Sequence, residues 1–329
     1  MSEIFDIMPG IETKIKDISD ELSNMWKCSA DDDSLPSDHG IVHACQMNLI
    51  LHLGKDTDPE DALKCFWTAV HFAQMRPSRI IVLCPEQNEK EPPVAKLFAQ
   101  CYLGDDFRSK CCCDAIIIDY TPNRFDVLVT QISLWLENDL PTSYWIHRVC
   151  SEYLMQHATK FAQQCRNVVY DSSIEDKRFK TISWKKETNV RDLLGFRLLT
   201  VRQALGQLLS TYKPEMIVES LQSVHISCVE ASSPYAESIQ EWQQNCLLNC
   251  SEDVAEQVRF SIAIENIPED EASMKCIWHY TDDRKEFAWQ YCHEKHELQY
   301  SIKIDGELHQ YTARLHTFSP ERILAETLV

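Results

Sequence analysis

The residues able to do chemistry stand in a few short stretches. Cys111-Cys112-Cys113 form a row beside Lys110. The lysine ammonium would lower the pKa of a neighbouring thiol, so this run is the candidate redox site. Cys292-His-Glu-Lys-His296 and the group His39, His43 and Cys45 offer soft ligands. Neither has the paired Cys-x2-Cys spacing of a structural zinc site. Read as a strand, the first would place Cys292, Glu294 and His296 on one face. Cys246 and Cys250 lie one helical turn apart, which suits neither a thioredoxin-like pair nor a zinc finger. No metal is expected. Asp171-Ser172-Ser173 closes an apolar run but lacks the Gly-x-Ser-x-Gly elbow of a hydrolase. At a strand end, and grouped with Asp139, it is the candidate pocket for a sugar phosphate or nucleotide. The plainer role is to cap the next helix. Arg76 and Arg79 flank a turn, where they either meet an acidic group or favour a helix C-terminus. Asp192, Arg197 and Arg202 fall on a mostly apolar helix and are expected to join a buried network.

Glycine counts for only 7 of 329 residues. Backbone can press against phosphate at few places in such a chain, and neither GxGxxG nor GxxxxGK[ST] occurs. No cofactor is therefore expected, and the chain is not expected to be an oxidoreductase. The formal charge of -19 disfavours nucleic acid and anionic membrane as partners. No run approaches the ~20 apolar residues of a membrane span. Met1 to Gly10 is acidic and has no basic leader region, so a cytoplasmic location is expected. There the 15 cysteines would be reduced thiols, mostly filling the core.

The length suggests two domains. Ile11, Ile15, Ile18 and Leu22 recur at helical spacing inside an N-terminal extension over 1–44. Met47 to Leu53 reads as a central parallel strand. Asp58-Pro59-Glu60-Asp61 opens a helix with the stripe Leu63, Phe66, Val70 and Ala73. Ile80 to Leu83 is the next strand. Val94 to Tyr102 reads as a short helix and Asp114 to Asp119 as a strand. A helix from Thr121-Pro122 runs to Asn138. Leu136 to His147 is the pivot of the chain. Pro141 pushes Leu140 out of helical geometry at the Asp139-Leu140-Pro141 turn, and Tyr144, Trp145 and Ile146 follow as a strand. Trp145 either packs into the fold or, if exposed, is a candidate interface anchor. Ser151 to Cys165 reads as helix and Asn167 to Tyr170 as strand. Beyond Asp192 the character changes. A leucine-faced helix runs to about Tyr212, a strand spans Ser223 to Val229, and a helix spans Pro234 to Cys250. Val258 to Ile264 alternates as an antiparallel strand would. Asp305-Gly306 marks a hairpin, and Ser319-Pro320-Glu321 opens a closing helix.

Four stretches together resemble the glucose-6-phosphate dehydrogenase assembly protein (OpcA) family. They are Arg76-Pro-Ser-Arg-Ile-Ile81, Asp139-Leu-Pro-Thr-Ser-Tyr-Trp145, Val169-Tyr-Asp-Ser-Ser173 and Asp192-Leu-Leu-Gly-Phe-Arg-Leu-Leu-Thr-Val-Arg202. The tail Phe318-Ser-Pro-Glu-Arg-Ile-Leu-Ala-Glu326 is similar to the family's closing helix. Gly195 and Phe196 stand where members often have tryptophan, and the Cys111–Cys113 run is a further departure. The resemblance implies a non-catalytic partner that binds glucose-6-phosphate dehydrogenase and promotes its active oligomer, in the oxidative pentose phosphate pathway.

The fold expected is an α/β N-terminal domain with a mostly parallel, Rossmann-like sheet over 45–185. An α+β C-terminal domain with antiparallel strands and a terminal helix follows over 186–329. The competing function is an enzyme or sensor that binds a phosphorylated metabolite at the strand ends of the α/β domain.

Overall fold

The computed structural model describes residues 3–30, 45–85, 94–103, 110–137, 139–250, 256–268, 271–304 and 306–328. The chain forms two compact units, Met1–Leu193 with Ser319–Val329, and Leu194–Phe318.

The first unit holds an eight-stranded sheet of β1 (Ile11–Lys14), β2 (Met47–Leu53), β3 (Ser78–Pro85), β4 (Val94–Leu103), β5 (Lys110–Tyr120), β6 (Thr142–His147), β7 (Asn167–Tyr170) and β8 (Asn189–Asp192). Their order is β1-β4-β5-β3-β2-β6-β7-β8. From β5 to β8 every pairing is parallel. β1 and β4 add an antiparallel edge beyond β5. All seven residues of β2 are buried, which is why its sequence reads as an apolar run rather than an alternation.

The helices of this unit are α1 (Glu3–Ile7), α2 (Ile18–Ala30), α3 (Pro59–Met75), α4 (Phe125–Trp135), α5 (Ser151–Tyr153) and α6 (Thr159–Ala162). A π-helical turn at Leu154–Ala158 joins the last two. α3 starts where the residue types demand. The Asp58 carboxylate accepts from the backbone N–H of Glu60 and Asp61, and Pro59 occupies the first turn. Its face of Ala62, Phe66, Ala69, Val70 and Ala73 is buried. The C-terminal helix (Pro320–Thr327) packs against α3 and so belongs to the first unit, although its place in sequence reads with the second.

The helix expected over Val94–Tyr102 is a strand. A short apolar run has no period that separates the two, and here an antiparallel partner decides. Val94 pairs with Asp119 and Leu103 with Lys110 along the full length of β4. The N-terminal segment packs on this edge. The Lys96 ammonium is buried and donates to the carbonyls of Phe5, Asp6 and Met8 at 2.8–3.1 Å. It thereby satisfies the free carbonyl end of α1.

The second unit contains α7 (Leu193–Arg197), whose first residue ends the first unit, with α8 (Leu199–Leu209), α9 (Pro214–Val218) and α10 (Ser233–Cys250). The leucine-faced helix expected to reach Tyr212 is thus two helices meeting at Leu198. Its sheet comprises β9 (Leu221–Cys228), β10 (Arg259–Ile264), β11 (Met274–Tyr280), β12 (Glu286–Cys292), β13 (Glu297–Lys303) and β14 (His309–Arg314), in the order β10-β9-β11-β12-β13-β14. All pairings are antiparallel except β10 with β9, which is parallel. The alternation of β10 therefore reports an edge strand with one face half-covered, not an antiparallel neighbour. Val224, Ile226, Trp278, Phe287, Trp289, Leu298 and Ile302 pack with Leu205, Ala236, Ile239 and Leu247 of the helices. Asp305 lies outside the described residues, while Gly306 has φ 101°, the left-handed geometry that glycine supplies between β13 and β14.

Candidate functional site

The chain fills β3 and β5 on one side of β2, then β6, β7 and β8 on the other. The order reverses between β2 and β6, and their carboxyl ends are where open α/β sheets bind ligands. Gly54 follows β2 and donates its N–H to the His147 carbonyl at 2.8 Å. A Cβ at Gly54 would lie 1.7 Å from the Arg148 carbonyl oxygen, so no other residue fits without moving the backbone. Arg148 itself has φ 54°. This is the close approach that a glycine-poor chain reserves for few positions.

Two polar groups converge there. His52, at the end of β2, is 1% exposed. Its Nδ1 is bonded to the Tyr144 hydroxyl and its Nε2 to the Tyr120 hydroxyl, the latter at 2.5 Å. The imidazole stacks on Phe125, with centroids 5.6 Å apart. Burial lowers its pKa to about 3, so it is neutral, with one nitrogen donating and the other accepting. Burial likewise drives both tyrosine hydroxyls well above their ordinary value. The Tyr153 hydroxyl donates to the Pro122 carbonyl at 3.1 Å. A pocket of about 210 Å³ opens over this group, with His52, Tyr120, Tyr153, Lys55 and Arg148 in its wall.

The second group is charged. His147 Nε2 meets Asp61 Oδ2 at 2.9 Å, and the Arg148 guanidinium donates to the same oxygen at 2.8 Å. Burial alone would raise the Asp61 carboxyl, but the hydrogen bonds from Arg148 and His147 outweigh it and hold the pKa down. For His147 burial prevails and lowers the pKa. The Arg148 backbone N–H donates to Glu175 Oε1 at 2.6 Å. Burial pushes the Glu175 carboxyl up to about 7. Ligand atoms of Asp61, Cys65 and His147 lie within 4.8 Å of one another. They are a donor set for a transition metal in type. The Arg148 cation on the same carboxylate opposes a second cation there.

The residues singled out from sequence do not gather in one place. Asp171 and Ser172 follow β7 and Asp192 ends β8, so these come together. The Ser172 hydroxyl donates to Asp192 at 2.6 Å, and its N–H donates to the other carboxylate oxygen. Asp171 accepts from the N–H and hydroxyl of Ser173. Asp139 does not join them. It precedes β6 while Asp171 follows the parallel β7, so the two stand at opposite ends of the sheet. The grouping of Asp139 with Asp171 and Ser172 is corrected accordingly. Asp139 is an exposed turn residue with φ 68°.

Arg76 and Arg79 lie at the amino end of β3. Arg76 closes α3, its N–H bonded to the Phe72 carbonyl. Arg79 makes an ion pair with the fully buried Asp114 at 2.8 Å and with Glu137 at 2.7 Å, and donates to the Trp135 carbonyl. Asn48 clamps the pivotal turn beside it. Its side chain accepts from the Glu137 N–H and donates to the carbonyls of Glu137 and Leu140. Trp145 is 4% exposed and belongs to the core. In the second unit the Arg202 guanidinium donates to the Ser238 hydroxyl at 2.8 Å, linking α8 to α10, and Arg197 ends α7. Cys113 is buried, while the side chains of Cys111 and Cys112 lie outside the described residues, as do His39 and His43. Cys292 closes β12 and His293–His296 form the turn to β13, so Cys292, Glu294 and His296 do not share a strand face. Sequence alone assigns no function to His52, Asp61, His147 or Glu175. Two signals could have found the first two: a histidine inside an apolar strand, and an acid in the first turn of the following helix.

No helix among the described residues is long and apolar enough to cross a membrane. No curated protein matches the chain. Among solved structures, one described as glucose-6-phosphate 1-dehydrogenase from Mycobacterium avium is 11% identical, with 86% of this chain and 87% of that one covered and a TM-score of 0.38. A structure described as trehalose-6-phosphate from E. coli bound with UDP-2-fluoro glucose is 9% identical, with 68% and 66% covered and a TM-score of 0.22. A family model described as the glucose-6-phosphate dehydrogenase subunit N-terminal domain matches residues 69–183, from within α3 past β7. Over these residues the chain is similar to the glucose-6-phosphate dehydrogenase assembly (OpcA) family.

Proposed function

We propose that the chain binds a glucose-6-phosphate dehydrogenase and promotes its active oligomer, without chemistry of its own. The match of residues 69–183 to the dehydrogenase-assembly family carries this reading. A protein acting this way works through differential affinity, holding one state of its partner more tightly than another. A shift from mostly inactive to mostly active partner takes several kcal/mol of that difference, hence an interface above about 1,000 Å². The charge of -19 would steer encounter and make association slow as salt rises. Cytoplasmic residence, where the dehydrogenase and reduced thiols coexist, is part of the proposal. The burial of Cys113 favours packing over a reactive thiol at the candidate redox run. The test is co-elution of purified chain and dehydrogenase on sizing. A shared peak that weakens as salt is raised supports the reading, and separate peaks at every salt concentration reject it.

A second reading, a small phosphorylated metabolite held at the strand ends, has one specific observation in its favour. The 210 Å³ pocket places Lys55 and Arg148 beside the His52–Tyr120 pair. Equilibrium titration with inorganic phosphate and a sugar phosphate tests it, and no saturable binding of either would remove it.

A further inference from the structure

The charged group at the start of α3 contains more than an ion pair. Asp61 and Cys65 stand four residues apart on α3, so both project from one face of the helix. His147, the last residue of β6, meets that face. A carboxylate oxygen, a thiol sulfur and an imidazole nitrogen thus lie within 4.8 Å of one another. Cys65 and His147 are each 6% exposed, whereas the Asp61 side chain is 31% exposed. Two donors are held by the core, and the third is reached from solvent.

Part of this arrangement is a structural tie. His147 and Arg148 share one oxygen of Asp61 and so join the end of β6 to α3. That tie does not require a sulfur atom. Thiolate, imidazole and carboxylate together are what a divalent ion of borderline softness selects. Bonds of about 2.0–2.3 Å in a tetrahedron set such donors roughly 3.3–3.6 Å apart. Asp61 and His147 are already at 2.9 Å, and small side-chain rotations bring the sulfur in. The opposing charge is Arg148, whose side chain is 41% exposed. Its guanidinium can withdraw into water while its backbone N–H stays on Glu175. We propose that Asp61, Cys65 and His147 form a binding site for a zinc-like divalent ion, which enters past Asp61, displaces the Arg148 guanidinium and takes a water as its fourth ligand. On binding, the Cys65 thiol releases its proton to solvent, and His147 ligates through Nε2 with its one proton on Nδ1. The site does not depend on the proposed dehydrogenase partner.

The experiment titrates cobalt(II) into the full, reduced chain, because cobalt reports in its absorption what zinc conceals. A sulfur-to-cobalt charge-transfer band is expected, with the intense visible bands of a four-coordinate ion, and zinc should bleach both. Cys65→Ala, or Cys65→Ser should the first fail to fold, is expected to lose one equivalent of this signal. Arg148→Gln separates the proposal from a purely structural tie. Without the competing cation, cobalt should bind at least about tenfold more tightly, one charge-assisted hydrogen bond's worth. Absence of a cobalt band would overturn the proposal. So would a band that persists undiminished in the Cys65 variants, which would place the ion on other thiols, or an affinity that Arg148→Gln leaves unchanged or weakens.

Discussion

The two ends of the eight-stranded sheet solve the burial of polar groups in opposite ways. At the amino end, charge is closed on charge. Arg79 spends its guanidinium on Asp114, Glu137 and a carbonyl, while Asn48 pins the turn that enters β6. At the carboxyl end, the deepest group is a neutral histidine between two tyrosines, and the charged residues sit further out, around Arg148. The amino end is sealed, and the carboxyl end opens on a pocket. A sealed ion pair fixes register and offers nothing to a ligand. Neutral hydroxyl and imidazole groups can exchange partners at little electrostatic cost. Of the motif residues at the sealed end, Arg79 has its guanidinium committed to Asp114, Glu137 and the Trp135 carbonyl, so its first role is to hold the sheet.

The contrast predicts a gradient of effects. Asp114→Ala leaves a buried guanidinium short of its main partner and should cost about 3–5 kcal/mol of unfolding free energy in denaturant titration. Trp145→Ala, which empties a core position between the two ends, should cost a similar ~3–5 kcal/mol. A loss below about 1 kcal/mol at Asp114 would mean that Glu137 alone suffices to hold Arg79.

Tyr144→Phe should cost less, about 1–3 kcal/mol, since it orphans one nitrogen of His52 while keeping the ring. The same variant should leave the Arg79 cluster intact, which hydrogen exchange of β3 and β5 would show. If exchange changed equally at both ends, the two ends would not be independent.

A further effect is a pH slope. The Glu175 carboxyl is raised to about 7 in the fold against 4.5 for the ordinary side chain. Between those values the folded state keeps a proton that the unfolded chain has released. Its contribution is full below about 4.5 and declines as pH rises to about 7. His52 runs the other way, because its pKa of about 3 against 6.5 makes stability rise with pH across that window. Glu175→Gln should remove only the declining component. Stability of the variant relative to the parent should therefore improve from pH 4.5 to 7 and be constant above it. A difference flat across the window would place Glu175 in contact with solvent.

Much of this architecture is legible in residue types. The unbroken apolar run of β2 announces a strand buried on both faces, and Asp58-Pro59 sets the start of α3. Pro141 keeps Leu140 extended on the way into β6, while α4 has already ended at Trp135. β4 is illegible alone, because its helical or extended state is decided by β5. The parallel pairing of β10 with β9 is invisible for the same reason. The site is harder still. Asp171, Ser172 and Asp192 can be found as polar residues at strand ends, and the structure joins them. His52 and Tyr120 meet only because β2 and β5 flank β3, and strand order leaves no trace in a single strand's composition.

The central claim is that this chain acts on a dehydrogenase by binding it. The most direct measurement is the steady-state rate of glucose-6-phosphate dehydrogenase from the same organism, as a function of substrate concentration, with and without the purified chain. Activation by binding gives a lower apparent KM for glucose 6-phosphate that saturates with added chain and is lost when high salt prevents association. Substrate curves that superimpose at every ratio of the two proteins, with no joint species on sizing, would contradict it.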